Sequence, residues 1–243
     1  MTVTNQQNSP ADDKTIVKNY FNSTGFDRWQ RIYGAGKVNP VQADIRAGHQ
    51  RTVDTVISWL RSDRNLSNMK ICDAGCGVGS LSIPLAQSGA RVYASDISEK
   101  MAKEAQLRAE LELGHSHNPK FSVQELEKLG GRYDTAICID VLIHYPDHDL
   151  PGMIGHLCSL AESRLILSFA PKTPLFSVLK KVGSFFPGAS KATRAYLHAA
   201  SDVAACLQKN GWAIDRQTFI KTRFYFSQIL SARPVAPNPG GLN

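Results

Sequence analysis

The chain has 243 residues, enough for one large α/β domain with a full core and short for two. Apolar residues make up 42% and charged residues 20%, and no apolar run approaches the roughly 18 residues that would span a bilayer. A net charge of +7, from 28 Lys and Arg against 21 Asp and Glu, excludes an acidic solvating chain and favours an anionic partner.

The opening "MTVTNQQNSPADDK" is polar, without the blocks of a secretory signal or the Arg- and Ser-rich length of a transit peptide. This predicts a cytoplasmic protein, one that touches a membrane surface at most. Residues 1–10 read as disordered, residues 11–65 as an N-terminal helical arm or lid, and 66–232 as the main domain; 233–243 is a second disordered tail. In the arm, "DDKTIVKNYFNS" places Ile16, Val17, Tyr20 and Phe21 on one helical face. Residues 41–61 form a second helix, with Val53, Val56, Ile57 and Leu60 at helical spacing. The link between them, "STGFDRWQRIYGAGKVNPVQ", is dense in aromatic and basic residues.

From residue 69 strands and helices alternate, which predicts a Rossmann-like, doubly wound, mostly parallel sheet of about seven strands. "MKICDAG" is the first strand and "SLSIPLAQSG" its helix. "RVYASD" follows, then a helix capped by Ser98, "SEKMAKEAQLRAELEL". "KFSVQEL", "YDTAICID" and "RLILSFAP" are strands three to five. The helix "SDVAACLQKNGW" leads into "AIDRQTFIKTRFYFSQILSA", two adjacent strands with a short connection and hence antiparallel.

Residues 172–200 interrupt this order as a basic insertion. Lys172, Lys180, Lys181, Lys191 and Arg194 are interleaved there with Leu175, Phe176, Phe185 and Phe186, with no acid between 172 and 194. Such a stretch suits nucleic acid, a membrane surface or a flat anionic ligand. The five cysteines (72, 76, 138, 158, 206) are odd in number and lack a C-x-x-C pair, which predicts buried reduced thiols and no metal site. His115 and His117 fall in a polar turn and read as exposed.

The chemistry lies in "DAGCGVGS", residues 73–80, where a strand runs into a glycine loop. Gly75, Gly77 and Gly79 follow G-x-G-x-G, neither the dinucleotide fingerprint nor a P-loop. Asp73 stands just before the loop, where a carboxylate would repel a pyrophosphate and welcome an ammonium group. Asp96 ends the second strand, where an acid accepts both ribose hydroxyls, and Glu125 and Leu126 end the third, placed to read an adenine amino group and pack its ring. With Asp140, four acids end four successive strands. That suits S-adenosylmethionine, a sulfonium cation without phosphate.

On these motifs residues 69–230 resemble the class I S-adenosylmethionine-dependent methyltransferases. The arm "DDKTIVKNYFNSTGFDRWQRIYG", the loop "DAGCGVGSLSIPLAQSGA", and "SDISEKM", "YDTAICIDVLIHYP" and "LILSFAPKT" together resemble the magnesium-protoporphyrin IX methyltransferases of chlorophyll biosynthesis. The resemblance implies transfer of a methyl group to one ring propionate, giving the monomethyl ester and S-adenosylhomocysteine, with magnesium present only inside the substrate. It implies contact with the magnesium chelatase that makes the substrate, and a place at a photosynthetic membrane. It extends the cofactor site to Cys76, Ile97 and Met101, and to Tyr20 and Trp29 of a mobile arm hinged at Gly25, Gly34 and Gly36.

A propionate is ionised near neutrality and needs no strong base, so the residues required are ones that place it. His144, in "DVLIHYP", is the candidate to hydrogen-bond the propionate or approach the chelated magnesium. Tyr33, in "RWQRIYG", is the candidate to orient the carboxylate through its hydroxyl. Four other readings stay open: a quinone or phenol O-methyltransferase, an NAD-dependent dehydrogenase, a porphyrin carrier without activity, and an RNA methyltransferase. The last is disfavoured because "DVLIHYP" is not the Asn/Asp-Pro-Pro-aromatic run used on base amino groups, so no nucleic-acid partner is expected.

Overall fold

The computed structural model describes residues 10–34, 36–115, 117–172 and 196–236. Three helices come first: α1 (Pro10–Phe21), α2 (Thr24–Tyr33) and α3 (Pro40–Asp63). The domain then alternates: β1 (Lys70–Ala74), α4 (Ser82–Gln87), β2 (Arg91–Asp96), α5 (Glu99–Leu113), β3 (Lys120–Val123), β4 (Tyr133–Cys138), α6 (Leu150–Leu160) and β5 (Ala161–Phe169). After the undescribed 173–195 come α7 (Ala200–Lys209), β6 (Trp212–Lys221) and β7 (Phe226–Pro234).

The strands form one seven-stranded sheet in the order β3-β2-β1-β4-β5-β7-β6. β1 to β5 pair in parallel, and β7 runs antiparallel to both β5 and β6. The expected doubly wound sheet with a terminal antiparallel pair is therefore what forms. Its switch point lies between β1 and β4, where the strand order reverses and a crevice opens beyond the strand ends.

Strand period sorts the core into two layers. On β1, Ile71 packs with Val53, Val56 and Leu60 of α3, while Cys72 faces the opposite layer with Leu157 of α6 and Leu207 of α7. Each such buried aliphatic side chain contributes about 1.5–3 kcal/mol. α3 begins with a capping box, Asn39 accepting from Gln42 N–H and Gln42 reaching back, with Pro40 in the first turn. Its far end is pinned by Arg164, buried under the sheet between Asp63 (2.5 Å) and Asp215 (3.3 Å). α3 is thus a core helix, and the arm proper ends before it.

The link that was left without regular structure contains α2. Gly25 lies in its first turn, where a Cβ would come within 2.5 Å of the Tyr20 ring, so packing requires a glycine there. Ile16 is 39% exposed, off the buried face that Tyr20 occupies. α6 was not foreseen either; its residues between strands four and five are almost uniformly apolar and give no amphipathic signal. Cys72, Cys76, Cys138 and Cys158 are buried thiols and Cys206 is half-buried. His115 and His117 are exposed, with their rings stacked at 3.9 Å. Of the expected basic insertion 172–200, residues 173–195 lie outside those described; Lys172 at its start pairs with Asp147 at 3.4 Å.

Candidate active site

A cavity of about 470 Å³ occupies the crevice at the carboxyl ends of β1, β2 and β4, roofed by the arm and by the β6–β7 turn. Its floor is the glycine loop. Gly75 has φ +86°, and a Cβ there would lie 2.1 Å from Cγ2 of Val141. Only glycine lets the loop pass beneath the residues that follow β4. The N–H groups of Gly75 and Cys76 both donate to the Ser95 carbonyl, at 2.8 and 2.9 Å, which locks the loop onto β2. At Gly77 a Cβ would meet nothing within 4 Å, so the loop faces open space there.

Asp96 lies on this floor, accepting from the N–H groups of Gly77 (2.9 Å) and Ser98 (2.8 Å). Burial nevertheless pushes its carboxyl up to about 6, because two backbone donors do not offset full desolvation. Asp73 is also pushed up to about 6, by burial first and by the charge of Asp96, against a hydrogen bond from Ser82 Oγ at 2.5 Å. Contrary to the sequence reading, Asp73 is set behind the cavity wall. Ser82, at the start of α4, captures its carboxylate, and the acid acts on the cavity through its charge. Cys76, Ile97, Met101 and Leu126 do line the cavity, as expected.

Glu125 departs furthest from expectation. It turns outward and pairs with Lys128 at 2.9 Å, which holds its carboxyl below the usual carboxylate range. Gln124 and Leu126, its neighbours, are the residues on the wall; β3 has ended at Val123 and a 3₁₀ turn begins at Leu126, so strand alternation no longer decides which side chain faces inward. Tyr20 is likewise not on the wall; it is buried edge-on against Phe21, which takes the place at the cavity.

The roof is built differently. Asp140, just past β4 and with φ +58°, accepts hydrogen bonds from His49 Nδ1 (2.9 Å), the Tyr225 hydroxyl (2.9 and 3.0 Å) and Ser168 Oγ (3.1 Å). Burial alone would raise its carboxyl, but these donors and the nearby His49 outweigh it and hold Asp140 below the usual range. Asp140 lines the cavity, yet its lone pairs are taken by the chain itself. His49 of α3 and Tyr225 of the β6–β7 turn are functional-site residues that sequence reasoning missed. They lie 91 and 85 positions from Asp140, and neither belongs to a motif.

Tyr33 and Trp29 stack at 5.3 Å, and Tyr33 continues onto the His49 ring at 4.2 Å. Burial and the charge of Asp140 raise the Tyr33 phenol well above its ordinary value, so it stays a neutral donor. His144 stands in a single 3₁₀ turn after β4, its ring edge-on to Phe21 at 5.3 Å. Burial pushes the imidazole down to about 4, against the pull of Asp140, so it is neutral at physiological pH. Buried His198 braces this turn by donating Nε2–H to the Leu142 carbonyl (2.9 Å) while Nδ1 meets Asp147 (2.9 Å).

Two polar atoms at the cavity are buried without a hydrogen-bond partner among the described residues: Nδ1 of His144 and Nε1 of Trp29. A native chain leaves few such groups, and two at one cavity point to a polar ligand. The arm that carries Trp29 and Tyr33 is tied down at several points. Ser98 Oγ meets the Phe21 carbonyl (3.0 Å) and Asn22 (2.9 Å), and Arg108 donates to the Tyr33 carbonyl (2.8 Å). Among the described residues the cavity wall carries one lysine, Lys14, which is paired with Glu127, and no arginine.

Residues 71–163 match a methyltransferase domain model, and residues 138–234 match the model described as the magnesium-protoporphyrin IX methyltransferase C-terminus. The chain is 61% identical over 225 residues to a magnesium-protoporphyrin O-methyltransferase of Synechocystis sp., covering 93% of this chain and 98% of the relative. A crystal structure of magnesium protoporphyrin IX methyltransferase from Synechocystis with bound SAH superposes with a TM-score of 0.84 at 60% identity, over 92% of this chain and all of that one. A second, with bound SAM, gives 0.82 at 55% identity, over 94% and 100%. With the glycine loop, the floor acid and the aromatic roof already in place, these similarities establish that the chain belongs to the magnesium-protoporphyrin IX methyltransferase family.

Proposed function

We propose that this protein transfers a methyl group from S-adenosylmethionine to a propionate carboxylate of magnesium protoporphyrin IX, yielding the monomethyl ester and S-adenosylhomocysteine in chlorophyll biosynthesis. The observation that carries the reading is the contrast of charge within one cavity. Asp96 on its floor and Asp73 just behind carry carboxyls that desolvation pushes up to about 6, and its roof is aromatic with a neutral histidine and a neutral tyrosine. When bound, S-adenosylmethionine supplies an electrophilic methyl on a cationic sulfur. The unpaired indole N–H of Trp29, the open loop at Gly77 and the carboxyl of Asp96 on the floor all fit such a ligand.

The residues divide the work. Asp96 accepts the ribose hydroxyls, Ile97, Met101 and Leu126 pack the adenine beside Gln124, and Asp73 stabilises the ammonium group through the loop at Gly75 and Cys76. A propionate, with a pKa like that of Glu near about 4.3, is already ionised and donates its own electron pair. No proton has to move. His144 and Tyr33 donate hydrogen bonds that orient the carboxylate without a full positive charge to hold back the reacting oxygen. In-line placement of this kind is worth roughly 7–11 kcal/mol. Phe21, Trp29 and Tyr33 cover the pair from water, which strengthens every charge interaction beneath them.

The decisive test is incubation with methyl-labelled S-adenosylmethionine and magnesium protoporphyrin, followed by mass analysis of the pigment. One labelled ester per pigment is expected; no ester, or label elsewhere, overturns the reading. A phenol acceptor, with a pKa near about 10, would need a base, so a rate flat from about pH 6.5 to 9 supports a carboxylate acceptor.

The protein works in the cytoplasm, on the surface of a photosynthetic membrane, and receives its substrate by contact with magnesium chelatase. The net charge of +7 and the basic-aromatic composition of 172–194 support this, and no described helix is long and apolar enough to cross a membrane. Lys180→Glu with Lys181→Glu should abolish binding to anionic liposomes and weaken capture of the chelatase. Unchanged partitioning would remove the membrane assignment.

A further inference from the structure

We infer that His49 is the axial ligand to the chelated magnesium of the substrate, through Nε2. This rests on the reading above that the acceptor is a magnesium porphyrin. The four ring nitrogens occupy the plane of the metal and leave an axial position open, so a protein that recognises the metal as well as the macrocycle needs one donor atom on the cavity wall.

His49 presents that donor. Its Nδ1 lies 2.9 Å from Asp140 Oδ2. Asp140 is an ionised carboxylate and can only accept, so Nδ1 carries the proton. In the neutral ring Nε2 therefore holds the lone pair. No described residue hydrogen-bonds Nε2, and the ring borders the cavity with 13% of its side chain exposed. Tyr33 lies against the ring in a tilted contact, centroids 4.2 Å apart, which restricts how the ring can turn. Asp140 is itself held by the Tyr225 hydroxyl and Ser168, and Tyr225 in turn by Thr52 Oγ1 at 2.9 Å. This carboxylate–imidazole pair, braced from behind, is the arrangement that orients metal-ligating histidines and raises their basicity.

Magnesium leans to oxygen donors. The carboxylate behind the ring is what makes the nitrogen competitive. His144, the other histidine on the wall, lacks such support: its Nδ1 has no partner, and no carboxylate is hydrogen-bonded to the ring. The two histidines thus divide the substrate, His49 taking the metal and His144 the propionate.

The test compares magnesium protoporphyrin with metal-free protoporphyrin, binding to the S-adenosylhomocysteine-loaded protein by fluorescence titration. The wild type should bind the magnesium form at least about tenfold more tightly. His49→Ala should lose that preference while keeping its affinity for the metal-free pigment, and added imidazole should restore the preference and the Soret band position. Equal affinity of the wild type for both pigments overturns the inference, as does a preference that survives in His49→Ala. Should the alanine variant not fold, His49→Gln, which keeps a side chain against Tyr33, is read the same way: retained preference for the magnesium pigment overturns the assignment. Failure of the underlying reading looks different: the wild type would then bind neither pigment, or bind without forming ester.

Discussion

The floor of the cavity, with the layer just behind it, and the roof each hold aspartates at the ends of neighbouring strands, Asp73 buried and Asp96 and Asp140 half-buried, yet the chain treats them in opposite ways. On the floor, Asp96 receives two backbone N–H groups and Asp73 one hydroxyl, and both carboxyls are pushed up to about 6. In the roof, Asp140 receives an imidazole, a phenol and a serine hydroxyl and is held below the usual range. Desolvation is common to all three. The number and strength of donors decides. An acid whose donors do not offset its desolvation gains from a ligand that brings further donors or positive charge; an acid held by several side chains of its own chain organises those residues instead. The proposed mechanism accordingly assigns binding of the methyl donor to the floor and placement of the acceptor to the roof.

The strongest way to break this division is to remove His144. His144→Ala should slow methyl transfer by roughly 100-fold in single turnover, the cost of a misplaced nucleophile, while calorimetry finds S-adenosylhomocysteine bound within about twofold of wild type. A parallel loss of cofactor affinity would merge the two regions into one. Asp96→Asn should do the reverse. Loss of charge-assisted hydrogen bonds should weaken S-adenosylhomocysteine by roughly 10–100-fold, with the rate at saturation near that of wild type.

Acid should separate the regions without mutation. The floor carboxyls have folded pKa values above their unfolded ones, so their ionisation weakens the ligand-free fold as pH rises through about 6, and a bound cation offsets this. The rise in Tm produced by S-adenosylhomocysteine should therefore be larger near pH 7.5 than near pH 5, with affinity falling roughly tenfold over that span. Asp140 has the opposite sign: its stabilisation is present above its unfolded pKa of about 4 and is lost only in stronger acid, as pH falls through its lowered folded value. The smallest effect is expected from Tyr225→Phe, which takes one donor from Asp140. Thermal unfolding should register a loss of about 1 kcal/mol with cofactor affinity unchanged.

The floor could be read from sequence because its parts are neighbours in the chain. Strand, glycine loop and Asp96 occupy residues 70–96, and the strand period predicts which residues reach the edge. Past the end of β3 the period gives no guide: Gln124 and Glu125 lie beyond Val123, and only packing tells which is inward. Asp73 was found as a charge, but its capture by Ser82 depends on how α4 is seated. The roof was legible only through resemblance. His144 and Tyr33 stood in recognisable stretches, whereas His49 and Tyr225 are joined to Asp140 by the fold alone. No local pattern distinguishes His49 from any other helical histidine. α2 is legible by the same periodicity, since Phe26, Trp29, Ile32 and Tyr33 keep helical spacing, but Gly25, Gly34 and Gly36 around it read as loop signals; Gln30 to Glu104 of α5 at 2.9 Å ties it down.

The claim that floor acids await a ligand while the roof acid is already satisfied is tested most directly by carboxyl-carbon NMR titration of Asp73, Asp96 and Asp140, with and without S-adenosylhomocysteine. Asp73 and Asp96 should titrate near 6 in the free protein and move down on binding, with Asp140 ionised throughout and unmoved. Asp96 titrating at an ordinary carboxylate value in both states, or Asp140 shifting when the ligand binds, would contradict the account.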